Sequence, residues 1–235
     1  MTIFNKLAAE RGTLLDETEN PGSCLSRRSL LTQPHIAGLE AWANGVAAKR
    51  SESIPSFDPS SGGVNARALF LLQDPSRAAS EGSRFVSIDN NDQTAHNCSK
   101  AYLETGLDYA SVLHWNVVPW WVHNPTKARP GRTLASEARR AHSDLLDLLN
   151  QLPDLEVVVL LGKQAQAAWR QSGVDLVRVL RCPHPGSLAW NRRDLASGRM
   201  NRDLTVGTFA EVADLLAPRR SASGHRTPPN VKGDI

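Results

Sequence analysis

Three side chains in this sequence have the chemistry for a hydrolytic site: the carboxylate of Asp74, the carboxamide of Asn116 and the imidazole of His184. A carboxylate takes a proton from water or faces a developing positive charge. A carboxamide presents a donor and an acceptor side by side to the edge of a planar ligand. An imidazole donates a hydrogen bond or a proton near neutral pH. Each residue also has an ordinary reading. An Asp before a proline caps a turn, an Asn at a strand end binds local backbone, and a His between prolines sits in a surface loop. The case therefore rests on whether the chain carries all three to one place.

The elements around them say that it does. Residues 66–72 (ARALFLL), 111–118 (SVLHWNVV) and 157–161 (VVVLL) are short apolar runs of the kind that form strands buried on both faces. Residues 176–180 (LVRVL) form a weaker fourth run. Helical periodicity fills the gaps, at 94–106, 132–151, 163–171 and 208–216. The second of these is the clearest, with Leu134, Ala138, Ala141, Leu145, Leu148 and Leu149 on one stripe. Upstream, residues 36–50 read as a helix and 51–65 as a loop. Alternating strands and helices predict an α/β fold: three layers, α/β/α, around a central, mainly parallel four-stranded sheet. Ligands bind such sheets at the carboxyl ends of the strands. Asp74 follows the first strand, Asn116 ends the second, and His184 follows the fourth within Cys182-Pro183-His184-Pro185-Gly186-Ser187-Leu188. Residues 1–34, broken by Asn20-Pro21-Gly22, read as a loosely packed N-terminal arm, 35–217 as one domain, and 218–235 as a flexible tail.

Composition narrows the class. The chain has 235 residues, 40% of them hydrophobic, which suffices for a sizeable core and excludes global disorder. With 16 Gly and 14 Pro it is neither collagenous nor of low complexity. No apolar run approaches the ~20 residues of a membrane span, and the N-terminal stretch lacks a sustained apolar core for export. Cys24, Cys98 and Cys182 are far apart and include no CxxC pair, so they suggest neither a disulfide framework nor a metal cluster. The expectation is a cytoplasmic protein without membrane association. The net charge of +3 permits an anionic partner without requiring one. Competing motifs fail. Residues 161–164 (LGKQ) miss a phosphate loop, because Val157 stands at the first glycine position and Gln164 at the hydroxyl position. GxSxG and GxGxxG are absent, and His114 and His123 have no third ligand at motif spacing, so neither metal nor cofactor is expected.

At this level of detail the sequence resembles the uracil-DNA glycosylase superfamily, over about residues 66–216. Residues 68–75 (ALFLLQDP) resemble its first motif, a strand running into Gly-Gln-Asp-Pro; Phe85-Val86-Ser87 its Phe-Ser segment; Asn116-Val117-Val118 its strand-end Asn; and His184-Pro185-Gly186-Ser187-Leu188 its His-Pro-Ser-Pro-Leu loop. The stretch 159–165 (VLLGKQA) resembles its strand before a Leu-Gly-Lys/Arg-x-Ala helix start. The resemblance implies a monomeric DNA repair enzyme that flips uracil, or a related deaminated base, out of the stack and hydrolyses its N-glycosidic bond. It implies that Asp74 positions the water and His184 bonds the leaving base. It likewise assigns Gln73, Phe85 and Asn116 to base binding, with Phe85 stacking and Asn116 reading the edge. Leu188 would wedge into the DNA, and Ser187 would take over a phosphate contact.

The chain departs from the family pattern at Leu72, where the family has Gly; at Ser76, where the most uracil-selective branch has a Tyr that blocks thymine; and at Gly186, where the family has Ser. Pro119-Trp120-Trp121 occupies the place where iron–sulfur members carry a cysteine. Arg192 and Arg193, with Arg181, Arg199 and Arg202, cluster around the His184 loop, and Lys127, Arg129 and Arg132 follow the Asn116 strand; such clusters grip phosphates without reading sequence. Two other readings stay open: a non-catalytic member that binds damaged or single-stranded DNA, and an unrelated α/β hydrolase acting on a small nucleoside.

Overall fold

The computed structural model describes residues 2–125, 131–170 and 178–218. Four strands make the central sheet: β2 (Ala68–Leu72), β4 (Val112–Asn116), β5 (Val157–Leu161) and β6 (Arg178–Cys182), in the order β4-β2-β5-β6, all parallel. The expected sheet is thus observed, with every pairing parallel. The first and second apolar runs begin one or two residues later as strands than the sequence suggests, and the fourth strand is shifted toward Cys182. A separate pair, β1 (Ser56–Phe57) with β3 (Phe85–Val86), is too short to leave a periodic signal.

Alternation along the strands divides the core. Leu69, Leu71, Leu113, Trp115, Val158 and Leu160 face one layer, built by α3 (Pro34–Arg50), α5 (Leu134–Arg140), α6 (His142–Leu149) and α7 (Lys163–Trp169). Ala68, Phe70, Val112, Val157 and Val159 face the other, built by α4 (Gln93–Thr105) and α9 (Asn201–Leu216). Strands buried on both faces have no polar side to display, which is why they read as unbroken apolar runs. Local chemistry sets the helix ends. Pro34 opens α3, Asp92 caps α4 by accepting from the Ala95 N–H, and Gly106 closes α4 at φ 66°.

Residues 132–151 form not one helix but two, interrupted at Ala141, with Arg140 and Asp144 on either side of the break both bonded to Arg50 of α3. Residues 2–34 are not loosely packed. Here α1 (Lys6–Glu10) and α2 (Pro21–Ser29) grip the loop 87–92: the Asn5 amide donates to the Ile88 and Asn90 carbonyls at 2.8 and 3.1 Å, and the Leu15 N–H donates to Asp89 at 2.9 Å. Arg27 of α2 is buried between Asp58 and Asp89, at 2.5 and 2.9 Å. Polar composition suggested a loose arm, but these polar side chains are consumed by buried backbone groups and charges. The stretch 218–235, expected as a tail, lies outside the described residues apart from Pro218. No helix among the described residues is long and apolar enough to cross a membrane.

Candidate active site

Strand register brings Asp74 and Asn116 together. Leu72 pairs with Asn116 across β2 and β4, and the ladder continues past the strand ends, with the Val117 and Val118 N–H groups donating to Leu72 and Gln73 at 2.8 and 2.9 Å. Asp74 is therefore fixed two residues beyond the Asn116 pair. On the other side, Leu161 of β5 pairs with Cys182 of β6, and His184 lies two residues further on. For His184 to lean toward Asp74 it must cross the end of β5. Gly162 stands at that end with φ +92°, and a Cβ there would lie 2.8 Å from the His184 Cβ. Glycine is required both for the backbone conformation and for the approach.

Asp74, Asn116 and His184 line one cavity of about 240 Å³, together with Gln73, Ser76 and Trp121 among others. Each is held in a different way. The Asp74 carboxylate accepts from the Gln73 amide on Oδ1 and from the Val122 N–H on Oδ2, both at 2.9 Å. Burial pushes its carboxyl above the ordinary carboxylate range, and the Val122 N–H, the Gln73 amide and, more weakly, His123 and Arg132 pull it part of the way back. Asn116 is buried, yet no residue among those described bonds its carboxamide, so donor and acceptor are both left to the cavity that it lines. His184 accepts the Gly186 N–H on Nδ1 at 2.9 Å, and burial pushes its pKa below the ordinary histidine value. The network thus assigns a neutral ring with its proton on Nε2, a hydrogen-bond donor.

Three helices steady the His184 loop through its carbonyls. Asn97 of α4 donates to Pro185 at 2.6 Å, Gln166 of α7 to Cys182 at 3.2 Å and Thr205 of α9 to Pro183 at 3.3 Å. None of the three stands out in the sequence, because a polar side chain on a helix reads as solvent-facing until the helix has a neighbour. The same holds for the Val122 N–H, a backbone donor with no side-chain signature. Trp121 and His123 are further wall residues. Trp120 is turned the other way, donating to Glu137 at 2.7 Å beneath Arg140, which leaves its neighbour Trp121 to the cavity.

Other expected site residues fall in three places. Gln73 is at the cavity, bonded to Asp74. Ser187, Leu188, Arg192 and Arg193 are exposed, with Leu188, Arg192 and Arg193 on a second groove that shares His184 with the cavity. Phe85 does not line the cavity. It is 1% exposed and packs in a cluster with Leu15 and Cys24, while Val86 and Ile88 supply the wall beside it. The N-terminal segment captures the ring. Arg132 is also misplaced by the sequence reading: its side chain is 4% exposed and ion-paired with Glu52 and Glu137, so it cannot face phosphate. Lys127 and Arg129 lie outside the described residues. Ser76 donates to Asp92 at 3.2 Å and accepts from the Ala79 N–H, so the position of the absent Tyr is a small hydroxyl turned into the wall. Among the described residues, no group of three or more His, Cys, Asp or Glu is placed to hold a metal ion.

The arrangement combines a carboxylate of raised pKa, an amide that no described residue bonds and a neutral imidazole donor around one small cavity. Comparison with known families matches the model of the Uracil DNA glycosylase superfamily to residues 59–205, more than half of the chain. No curated protein matches.

Proposed function

The chain belongs to the Uracil DNA glycosylase superfamily, and on that premise we propose that it hydrolyses the N-glycosidic bond of uracil, or of a related deaminated base, in DNA. Membership supports a glycosylase-type function and DNA as partner. The finer reading rests on one observation: Asp74, the unbonded Asn116 carboxamide and His184 share a single cavity.

In this reading the target nucleotide leaves the stack at a cost of a few kcal/mol, and its base enters the cavity. Asn116 accepts from N3–H and donates to O4, a pattern that cytosine inverts. As the C1′–N1 bond breaks, positive charge grows on the sugar and negative charge on the base. The Asp74 carboxylate faces the cation and takes up the proton of the attacking water, whose oxygen bonds to C1′. The Nε2–H of neutral His184 donates to O2 of the departing uracil anion. A preorganised donor of this kind contributes roughly 3–4 kcal/mol to the transition state. The products are the free base and an abasic site. No step needs a metal or redox group.

The test is base release from a labelled uracil-containing oligonucleotide, read as alkali-labile sites. The native chain is expected to release the base. Asp74→Asn and His184→Ala should each lower single-turnover release at least ~100-fold while DNA affinity stays nearly constant. No abasic sites from uracil, hypoxanthine, xanthine or mismatched thymine would overturn the reading. Tight binding without release, unaffected by Asp74→Asn, would favour the non-catalytic binding module instead.

A further inference from the structure

Beside the cavity runs a larger groove of about 780 Å³, with His184 in the wall that the two share. Its rim carries Lys163, Arg181, Arg192 and Arg193 against a single carboxylate, Asp194. All four cations are exposed, and none forms an ion pair with a described residue. Arg27, Arg50, Arg132 and Arg140, by contrast, are each matched to buried acids. Asp194 is engaged within its own turn, its Oδ2 accepting from the Ser197 N–H and hydroxyl at 2.8 and 2.7 Å. The groove is therefore a cationic trough with its one acid occupied.

Two leucines stand in the same trough. Leu188 is 78% exposed on α8 (Ser187–Trp190), and Leu195 is fully exposed at the tip of a turn. That turn is closed, not slack. Arg193 and Met200 form an antiparallel bridge, the Asp194 N–H donates to the Arg199 carbonyl at 2.8 Å, and Gly198 turns at φ +69°. The Arg193 guanidinium caps the Gly198 carbonyl at 2.9 Å. At its base, the Asn201 amide donates to the Ala189 carbonyl at 2.9 Å, which ties the turn to the helix that carries Leu188. A scattered surface leucine needs no explanation. Two of them on closed, mutually bonded turns, lining one trough of exposed cations that form no ion pair with a described residue, do.

We propose that the turn 193–200 is a second DNA-contacting finger, in which Leu195 enters the duplex beside Leu188 while Lys163 and Arg181 hold backbone phosphates across the trough. The proposal rests on the glycosylase reading for its partner, and it extends the contact beyond the base cavity. An apolar wedge fits a strand that must be opened, and exposed cations outside any ion pair with a described residue fit phosphates, whose binding releases counterions. A single strand has no base pairs to part and leaves no gap in a duplex to fill, so the leucine should matter chiefly on duplex.

The experiment uses the full chain and two labelled DNAs with one uracil, single-stranded and duplex. Leu195→Ala should reduce kcat/KM on duplex ~10-fold or more and change single-strand release less than ~2-fold. In fluorescence anisotropy on the duplex, Lys163→Ala combined with Arg181→Ala should lower the slope of log affinity against log salt by about two. An unchanged duplex-to-single-strand ratio for Leu195→Ala, or an unchanged salt slope for the double variant, would overturn the proposal. If the native chain released no base at all, the glycosylase reading would fall, and the anisotropy slope would still decide the trough.

Discussion

Asp74 and His184 sit in the same cavity, and burial moves them in opposite directions: the carboxyl toward a higher pKa, the imidazole toward a lower one. Burial disfavours charge, whichever sign it has. The sign for catalysis follows. In the proposed mechanism Asp74 works as the carboxylate and His184 as the neutral ring, so release should be lost as pH falls through the raised pKa of Asp74. His184 acts neutral and is already neutral above its lowered pKa. The pH profile of single-turnover release should therefore show an acidic limb displaced upward from that of an ordinary carboxylate, and no falling limb on the alkaline side of the ordinary histidine value. Asp74→Asn should remove the limb. A falling limb near pH ~6.5 would instead mean that protonated imidazole is the active form. The three chemical side chains were legible because motif blocks and strand ends coincide at them. Phe85 was not, because an aromatic ring reads alike whether it faces a ligand or a core, and what decides is the segment that packs on it. Val122 was not, because its contribution is a backbone N–H.

Between β5 and α7, and again at the start of α8, glycine makes room for the His184 ring, but the two sites differ in kind. A Cβ at Gly162 meets the His184 Cβ and Cα at 2.8 and 3.4 Å, and its φ of +92° strains any side chain. A Cβ at Gly186 meets the ring Nδ1 at 2.7 Å, with an ordinary φ of −66°. Gly162→Ala should thus lower both stability, by about 2–4 kcal/mol, and base release. Gly186→Ala should cost release, because the ring must swing, and leave the melting temperature nearly unchanged. Thermal melts and release rates on the two variants separate these outcomes. The strands were legible at this scale for a simple reason: burial on both faces leaves only apolar residues. Boundaries were not. The break at Ala141 keeps the helical stripe intact on either side, and α9 begins at Asn201, well before the periodic stretch at 208–216, because Arg202, Asp203 and Gly207 dilute its apolar face.

Across the whole molecule, the family match begins at residue 59, yet much of what fixes the cavity wall lies before it. Ser87, Ile88, Asn90 and Asp92 line the cavity from a loop that α1, α2 and the strand-like contact at Leu15 hold in place. Arg27 is the centre of that grip. Removing it leaves Asp58 and Asp89 buried with fewer partners, so Arg27→Ala should cost about 3 kcal/mol in urea-induced unfolding. Arg27→Lys should recover only part of this, because one ammonium cannot span both carboxylates as the guanidinium fork does. Unaltered unfolding in Arg27→Ala would show that the N-terminal grip is dispensable. Polar composition concealed this segment from the sequence reading, since side chains that satisfy buried backbone look like those that face water.

The first two helices are short, and they fasten one wall of the cavity from outside the sheet. Heating should loosen that buckle before the strands part, since peripheral units open at lower free energy than the centre. The temperature at which turnover vanishes would then lie below the temperature at which the far-ultraviolet dichroism collapses, and brief cooling between the two should restore the lost activity.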